Sequence, residues 1–176
     1  MNIIVTVDEN WAIGNRDRQL VKIPADWRAL QEQTAGGVII MGRKTLKLMP
    51  QEQPLFNCKN IILSANPAYR VRGADTADSL DALFKKLEGI SGEDIYVCGG
   101  ESVYRQLLPH CDTAYVTMVE KSYEADRYFE NLDKSEEWRL TEESDEQTCF
   151  DITYYFRKYK RIESCAHAGI KTRTGN

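Results

Sequence analysis

The stretch "VIIMGRKT", residues 38–45, joins a short apolar run to a glycine followed by two cations and a hydroxyl. A run that is apolar at every position predicts a strand buried on both faces, as in a mostly parallel sheet. The residues after it predict a helix start, where backbone N–H groups, the Thr45 hydroxyl and the charges of Arg43 and Lys44 could hold a phosphate. A capped helix with solvated charges explains the same residues equally well.

Similar apolar runs occur on both sides of this stretch, and helical patterns lie between them. The runs are "IIVTV" at 3–7, "IIL" at 61–63 and "IYVC" at 95–98. The clearest helical pattern is "DSLDALFKKLEG", with Asp78 or Ser79 as the cap and Gly89 at the end. Further helices are predicted to begin at Pro24 and to run from about 101 to 108, before Pro109. This alternation of strands and helices predicts an α/β fold.

The last third of the chain has a different pattern. "CFDITYYFRKY", at 149–159, alternates apolar and polar residues from Phe150 onward, which is typical of a half-exposed strand. Together with "AYVTMV" at 114–119 it predicts antiparallel strands added to a parallel core. We expect one domain over residues 1–162 and a flexible tail over 163–176.

Composition excludes several classes of protein. A chain of 176 residues with 42% hydrophobic content is typical of one soluble domain, and a net charge of −4 offers no basic field for nucleic acid. The apolar runs are too short to span a bilayer, and no leader pattern opens the chain. Five cysteines without a Cys-x-x-Cys pair favour reduced thiols in a cytoplasm. His110 and His167 form no credible metal set.

Two more stretches could carry chemistry. "VCGGESVY", at 97–104, places paired glycines between a strand and a helix, although a plain tight turn is the favoured interpretation because the Gly-x-Gly-x-x-Gly pattern is missing. In "KIPADW", at 22–27, Asp26 is either a helix-start carboxylate that interacts with the helix dipole or a desolvated acid that binds a protonated heterocycle. These residues alone do not choose between the two.

Taken together, the motifs resemble those of the dihydrofolate reductase family. They are "AIGNRDRQL", "IPADW", "VIIMGRKT", "NIILS" and "VCGGESVYRQLLP", and the resemblance runs from residue 3 to about residue 160. It implies an eight-stranded, mostly parallel sheet with an antiparallel C-terminal strand, flanked by helices. It also implies a monomer that reduces 7,8-dihydrofolate to tetrahydrofolate with NADPH and binds antifolate inhibitors, with no membrane or nucleic-acid partner.

The resemblance also implies roles for individual residues. Asp26 would bind the pterin and help protonate N5, with Thr117 bonded to it. The pterin and aminobenzoyl pocket would be lined by Ile4, Val5, Ile23, Trp27, Leu30, Leu55 and Cys58. The cofactor would contact Ala12, Ile13, Gly14, Gly42, Arg43, Lys44, Thr45, Leu63, Ser64, Gly99, Gly100, Glu101, Ser102, Val103 and Tyr104. In the family the glycine pair is joined by a cis peptide. The segment 9–22 would be a mobile lid that excludes water.

Two departures from the family pattern affect this hypothesis. Val21 stands where many members have a tryptophan beside the pterin. Cys58 stands where the family has an arginine that grips the substrate's glutamate carboxylate, so folate binding should weaken by roughly one to two orders of magnitude. Lys59 or Arg28 could supply a point charge but not the planar fork of an arginine.

The departure at Cys58 keeps two alternatives open. One is a related reductase on the same fold, either a pterin reductase that does not need the glutamate tail or the pyrimidine reductase of riboflavin synthesis. Retention of Asp26 counts against the riboflavin enzyme. The other alternative is a protein that binds NADPH without catalysis.

Overall fold

A computed structural model of the protein describes residues 1–163, and these form a sheet with helices on its faces. The strands are β1 (Asn2–Val7), β2 (Ala12–Asn15), β3 (Arg18–Gln19), β4 (Val38–Gly42), β5 (Lys59–Leu63), β6 (Asp75–Ala77), β7 (Ile95–Val97), β8 (Thr113–Val119), β9 (Arg127–Tyr128), β10 (Trp138–Glu143), β11 (Gln147–Cys149) and β12 (Ile152–Arg161). The α-helices are α1 (Pro24–Thr34), α2 (Arg43–Leu46), α3 (Leu80–Leu87) and α4 (Glu101–Leu107). Short 3₁₀ turns cover Pro50–Glu52, Gly92–Asp94, Leu108–His110 and Leu132–Lys134.

The main sheet has the predicted mixed architecture. Its strand order is β10-β12-β8-β1-β7-β4-β5-β6, and the neighbours from β8 through β6 are all parallel. β12 is antiparallel to β8. Eight strands form this path, as predicted, and β11 adds a short ninth as one arm of a hairpin with β12. Because the carboxyl ends of the parallel strands meet at one edge, the residues that follow them lie close together.

The prediction for the 114–119 run was half wrong. β8 is antiparallel to β12, but it is parallel to β1, with partners from Asn2↔Thr113 to Val7↔Met118. The reason is the connection: α4 carries the chain from β7 across the sheet, and a crossover through a helix joins parallel strands. β8 therefore belongs to the parallel core.

Two predicted boundaries also shift. Phe150 was assigned to the last strand, but it is fully exposed in a turn at φ +55°, and the strand begins at Ile152. The helix predicted over 101–108 ends at Leu107, where a 3₁₀ turn containing Pro109 follows. The α3 prediction is confirmed, since the Ser79 side chain accepts a hydrogen bond from the Ala82 amide and Gly89 has φ +79°.

The predicted lid segment contains regular structure that its polar sequence did not indicate. β2 and β3 form a hairpin, and β2 also pairs with β9 to make a second sheet of three strands. β2 has four residues and β3 has two, which is too short for a periodic pattern, so the pairing is visible only in three dimensions.

The core lies on both faces of the main sheet. One face packs residues such as Ile3, Val5 and Val97 with α4, and the other packs Ile39, Met41 and Ile62 beneath α1 and the loop before β5. Most of the predicted tail, residues 164–176, lies outside the described part of the chain. Among residues 1–163, no helix has the length and apolar character needed to cross a membrane.

Candidate active site

Asp26 is held by two hydroxyl groups from the centre of the sheet. The Thr6 Oγ1 donates to Asp26 Oδ2 at 2.5 Å, and the Thr117 Oγ1 donates to Asp26 Oδ1 at 2.6 Å. Each carboxylate oxygen therefore has one protein donor. This arrangement fixes the orientation of the carboxyl group and leaves its other lone pairs for a ligand.

The local sequence explains how the three side chains meet. Pro24 begins α1 and Asp26 follows in its first turn, where the Asp26 side chain bonds to the sheet and makes no cap for its own helix. Thr6 on β1 and Thr117 on β8 are direct neighbours in the parallel ladder. Thr117 was predicted, but Thr6 was missed. Its signal is visible in the sequence, because it is the single polar residue in the run "IIVTV".

The environment shifts the acid toward its neutral form. Burial raises the pKa of Asp26 above its ordinary value of 3.8, and the hydrogen bonds from Thr117 and Thr6 oppose part of that rise. A carboxyl group with a raised pKa can hold a proton closer to neutral pH, which is the property that proton transfer requires. Asp26 thus combines both sequence interpretations, since it is a first-turn residue and a desolvated acid.

The residues predicted to line the substrate pocket divide between two faces of the molecule. Ile4 is on the same face of β1 as Thr6, because side chains two positions apart in a strand point the same way. Val5 is on the opposite face, where it is buried with Ile3 and Val7. Its side chain therefore does not line the Asp26 pocket, and only its backbone can do so.

Helix α1 supplies one wall of the pocket. Trp27 and Leu30, three positions apart on one helical face, pack on the same cluster as Leu55 from the opposing loop. Ile23 is 4% exposed and packs with Tyr154 on the other side. Ile23, Trp27, Leu30 and Leu55 therefore pack in two apolar clusters on the α1 side of the sheet, whereas the Val5 side chain lies on the other side.

Cys58 lies at the far end of this pocket, near the last turn of α1. Its Sγ is 3.9 Å from the Leu55 carbonyl oxygen and 3.8 Å from Asn60 Nδ2, and burial raises the pKa of the thiol. The Asn60 side chain also bonds both the amide and the carbonyl of Leu55, at 2.9 Å each. The loop that carries Cys58 is therefore fixed, and it presents a neutral thiol.

Neither of the two nearby cations replaces an arginine at this position. The Lys59 ammonium pairs with Asp75 at 3.2 Å, on the neighbouring strand β6. Arg28 lies toward Tyr154, where burial raises the pKa of the tyrosine hydroxyl and the positive charge of Arg28 opposes that rise. Tyr154 and Cys58 pack on different clusters.

The predicted cofactor residues converge where β4 and β7 end. The Gly42 amide donates to the Gly99 carbonyl at 2.7 Å, and Gly99 and Gly100 are joined by a cis peptide. A Cβ added at Gly42 would lie 3.2 Å from the Val103 side chain, and one at Gly100 would lie 3.4 Å from Thr45 Oγ1. A side chain at Gly42 would therefore crowd Val103, whereas one at Gly100 would make an ordinary contact.

Tyr104 has a structural role in this arrangement. Its hydroxyl donates to the Ile4 carbonyl at 2.6 Å, and its ring lies where a Gly99 side chain would be, since an added Cβ there would be 2.8 Å from Tyr104 Cε2. Val103 and Tyr104 are both buried, whereas Ser102 is exposed at the start of α4. Of the α4 residues predicted to contact the cofactor, only those at the start of its first turn are therefore accessible.

The cations beside the glycines are exposed. The Lys44 ammonium pairs with Asp17 of the lid segment at 3.0 Å, and the Arg43 guanidinium lies over the Tyr69 ring at 5.7 Å. After β5, a cleft of about 120 Å³ continues along the same edge. Its polar lining includes Ser64, Asn66, Arg70 and Asp78, and Leu63 precedes it on the strand.

The lid segment lies against the carboxyl end of β1. Thr6, Ala12, Ile13, Leu20 and Val21 line the narrow space between them. Gly14 has no room for a side chain, because an added Cβ would be 3.0 Å from the Arg18 carbonyl oxygen. The Gly14 carbonyl accepts from the Asp126 amide at 3.1 Å, which ties the hairpin to the segment before β9. Among residues 1–163, no cluster of histidine, cysteine and acidic side chains could hold a metal ion.

Comparisons with known proteins agree with this geometry. A family model described as dihydrofolate reductase matches residues 1–161. A dihydrofolate reductase of Staphylococcus haemolyticus is 32% identical over 165 residues, covering 92% of this chain and 96% of the relative. One from Bacillus subtilis is 31% identical over 174 residues, covering 97% and 99%. This chain belongs to the dihydrofolate reductase family.

A solved structure of the family gives the same fold. The dihydrofolate reductase from Enterococcus faecalis, complexed with NADP(H) and RAB-propyl, superposes with a TM-score of 0.79 at 26% identity, covering 91% of this chain and 95% of that one. The eight-stranded dihydrofolate reductase fold expected from the motifs is therefore confirmed.

Proposed function

We propose that Asp26 is the acid of this dihydrofolate reductase and that the glycine-lined edge beside it holds NADPH. The chain is an NADPH-dependent oxidoreductase that reduces 7,8-dihydrofolate to 5,6,7,8-tetrahydrofolate. The observation that carries the proposal is the pair of hydrogen bonds from hydroxyl groups to Asp26, because these orient a partly buried carboxyl group whose pKa is raised by desolvation. A structural acid in a first helical turn needs neither feature.

Asp26 would act on the pterin in two ways. Its carboxylate can accept charge-assisted hydrogen bonds from the 2-amino group and N3 of the ring, which fixes the ring against α1. Negative charge at that position also raises the proton affinity of the ring system. Protonation at N5 makes C6 more electrophilic, so that a hydride can be accepted there. Thr6 and Thr117 keep the carboxyl group in the plane needed for both tasks.

The residues around Gly42 and Gly99 fit the cofactor. NADPH supplies the hydride when it is bound. Gly42 and Gly100 are partly exposed where the two turns meet, and the cations of Arg43 and Lys44 are exposed beside them, so a diphosphate could be accommodated there. The cleft beyond Ser64 would take the adenosine end. Ala12, Ile13 and Gly14 would cover the nicotinamide and keep water away from it.

The residues at the far end of the substrate pocket indicate that the glutamate tail is bound weakly. A thiol at position 58 cannot make a bidentate pair with a carboxylate, and Lys59 is engaged by Asp75. We therefore propose that binding energy for the substrate comes mainly from the pterin and the aminobenzoyl ring, which would contact Trp27, Leu30 and Leu55. A pterin reductase indifferent to the tail is the second candidate function, and Cys58 is the observation that favours it.

One assay separates these functions. NADPH oxidation is followed with dihydrofolate and with a dihydropterin lacking the glutamate tail, in wild type and in Asp26→Asn. Reduction of dihydrofolate that depends on Asp26 supports the proposal. Equal kcat/KM for both substrates would favour the tail-independent pterin reductase. NADPH binding without turnover of either substrate would mean a cofactor-binding protein, and full activity of the variant would remove Asp26 from the mechanism.

We also propose that the enzyme works as a monomeric single domain, residues 1–162, in the cytoplasm. One continuous sheet from Asn2 to Arg161 supports the single domain. The four cysteines of the described residues are free thiols, which supports a reducing compartment. Light scattering of the purified chain tests the monomer, and a mass above that of one chain would contradict it.

A further inference from the structure

Glu101 is the first residue of α4, directly after the glycine pair, and its side chain is turned to another element. Its Oε1 accepts a hydrogen bond from the Tyr128 backbone amide at 3.1 Å. Its carboxylate is also 4.0 Å from the Arg127 guanidinium and 3.8 Å from that of Arg105. The side chain is 27% exposed, so these contacts are only partly screened by solvent.

Two of the three partners of Glu101 belong to the sheet that carries the lid, and the third, Arg105, is on α4 itself. Arg127 and Tyr128 are β9, which pairs with β2 of the lid segment through Gly14↔Arg127 and Ala12↔Tyr128. The Glu101 carboxylate therefore connects the start of α4 to the strand on which the lid hairpin rests. A second contact runs in parallel, since the Tyr104 and Phe129 rings meet edge to face at 4.9 Å.

The charge of Glu101 needs an explanation at this position. Under the proposed function the first turn of α4 faces the cofactor's diphosphate, and a carboxylate there repels an anion. An interaction with the helix dipole would explain an acidic residue, but it requires no partner from another element. The Tyr128 amide is such a partner. A hydrogen bond to it depends on the length of the Glu101 side chain more than on its charge.

We propose that Glu101 is a positioning residue that fixes the lid sheet to the cofactor-binding turn, so that the closed lid and bound NADPH stabilise each other. The inference rests on the proposed function for the identity of the cofactor. The contact between Glu101 and β9 does not depend on which cofactor binds. Breaking it leaves the Tyr128 amide without its acceptor and frees β9, and with it β2, from α4.

Two matched substitutions separate the reach of the side chain from its charge. Glu101→Asp keeps the carboxylate at the helix start, but the side chain is one methylene shorter, so it should lose the hydrogen bond from the Tyr128 amide. Glu101→Gln keeps the reach and an accepting oxygen but removes the charge. Glu88→Gln, at the exposed end of α3, is the control for loss of one surface charge.

The first measurement is amide hydrogen exchange in the protein without ligand, at Asp126, Tyr128 and Phe129. The second is the NADPH dissociation constant from quenching of protein fluorescence. We expect faster exchange at these amides in Glu101→Asp and an NADPH Kd raised about three- to tenfold, the range for loss of one hydrogen bond. Glu101→Gln should exchange like wild type and bind NADPH equally well or more tightly.

The opposite ranking would overturn the inference. If Glu101→Asp matches wild type while Glu101→Gln is impaired, only the charge matters and the link to β9 does not. Unchanged exchange and unchanged Kd in both variants would also overturn it. Failure of the wild type to bind NADPH would contradict the proposed function instead, and the exchange measurement would still decide whether Glu101 holds β9.

Discussion

The polar groups at the two ends of helix α1 have different hydrogen-bonding environments. At the first turn, Asp26 is partly buried and both of its oxygens accept hydrogen bonds from hydroxyl groups of neighbouring central strands. At the last turn, the Thr34 hydroxyl donates to its own helix at the Leu30 carbonyl, 2.8 Å away, and the nearby Cys58 thiol makes only long contacts. One end of the pocket is built around an ionisable carboxyl group, whereas the other carries a neutral thiol.

The structure constrains the first turn of α1 more tightly than the last. A buried carboxyl group is costly unless it is hydrogen-bonded, so its partners must come from a rigid element, which here is the ladder between β1 and β8. A loop position such as Cys58 carries no such requirement, because a neutral thiol is easily accommodated. The reacting end should therefore tolerate few changes, while recognition of the substrate tail can change with a single side chain.

The largest expected effect is at the reacting end. Asp26→Asn keeps the size of the side chain and one accepting oxygen but cannot hold the proton or the negative charge. We expect kcat/KM for dihydrofolate to fall about 10²–10³-fold at neutral pH, the usual contribution of a positioned acid or base. Activity of the variant should rise as the pH falls, since the proton must then come from solvent. Steady-state NADPH oxidation across pH measures both effects.

The NADPH dissociation constant is the control for this variant. Asp26 lies on the substrate side of the proposed site, so cofactor affinity should stay within about twofold of wild type. An equal loss of cofactor affinity would mean that the substitution damages the whole site, and the contrast between the two ends of α1 would lose its support.

The neutral end should respond to the addition of charge. Cys58→Arg supplies a guanidinium fork where the tail carboxylate would lie, and one charge-assisted pair is typically worth about 1.5–3 kcal/mol. We expect the Michaelis constant for dihydrofolate to fall roughly 10- to 100-fold, with kcat changed little. The tail-less dihydropterin is the internal control, because its kinetics should not move. A Michaelis constant unaffected by Cys58→Arg would show that the tail does not reach this position.

The sequence could predict one end of the pocket better than the other. Asp26 lies in the motif "IPADW" and Thr117 in the run "AYVTMV", so the resemblance located both, and the Thr117 hydroxyl donates to the Asp26 carboxylate. Thr6 was missed although it is the single polar residue of its run, because the sequence does not show which side chain it faces across the fold. The side of the sheet that Val5 faces follows from alternation once Thr6 is known to face Asp26.

Long-range pairing accounts for the other differences. The partner of a strand is set by the connection between elements, so the direction of β8 relative to β1 could not be read from its own residues. The pairing of β2 with β9 joins segments that are far apart in the chain, and the role of Glu101 depends on it. Local patterns predict elements, whereas contacts between distant short strands need the folded structure.

A smaller effect on activity is expected when one of the two hydroxyl groups that bond to Asp26 is removed. Thr117→Val removes one donor to Asp26 at nearly constant volume. Because that bond favours the ionised form, its loss should raise the pKa of Asp26 further. We expect kcat/KM to fall about tenfold, the value of a hydrogen bond to a charged group. The pH–rate profile should also shift to higher pH, and Thr117→Ser should restore both. An unshifted pH–rate profile would mean that Thr117 contributes packing and that its hydrogen bond does not affect Asp26.

The smallest effect concerns stability, and it has the opposite sign to the effect on activity. Burial raises the pKa of Asp26 above 3.8, so the unfolded chain loses this proton at a lower pH than the folded protein does. The contribution of Asp26 to stability is therefore complete below the ordinary pKa and declines as the pH rises through the folded pKa. An asparagine side chain has no proton to lose, so relative to wild type the Asp26→Asn variant should gain stability between acidic and neutral pH. Urea midpoints measured across that range test this, with the difference between the two proteins cancelling the titration of every other group. If the difference instead moves in favour of wild type toward neutral pH, Asp26 is a stabilising ion, and the reacting end of α1 would resemble an ordinary helix start.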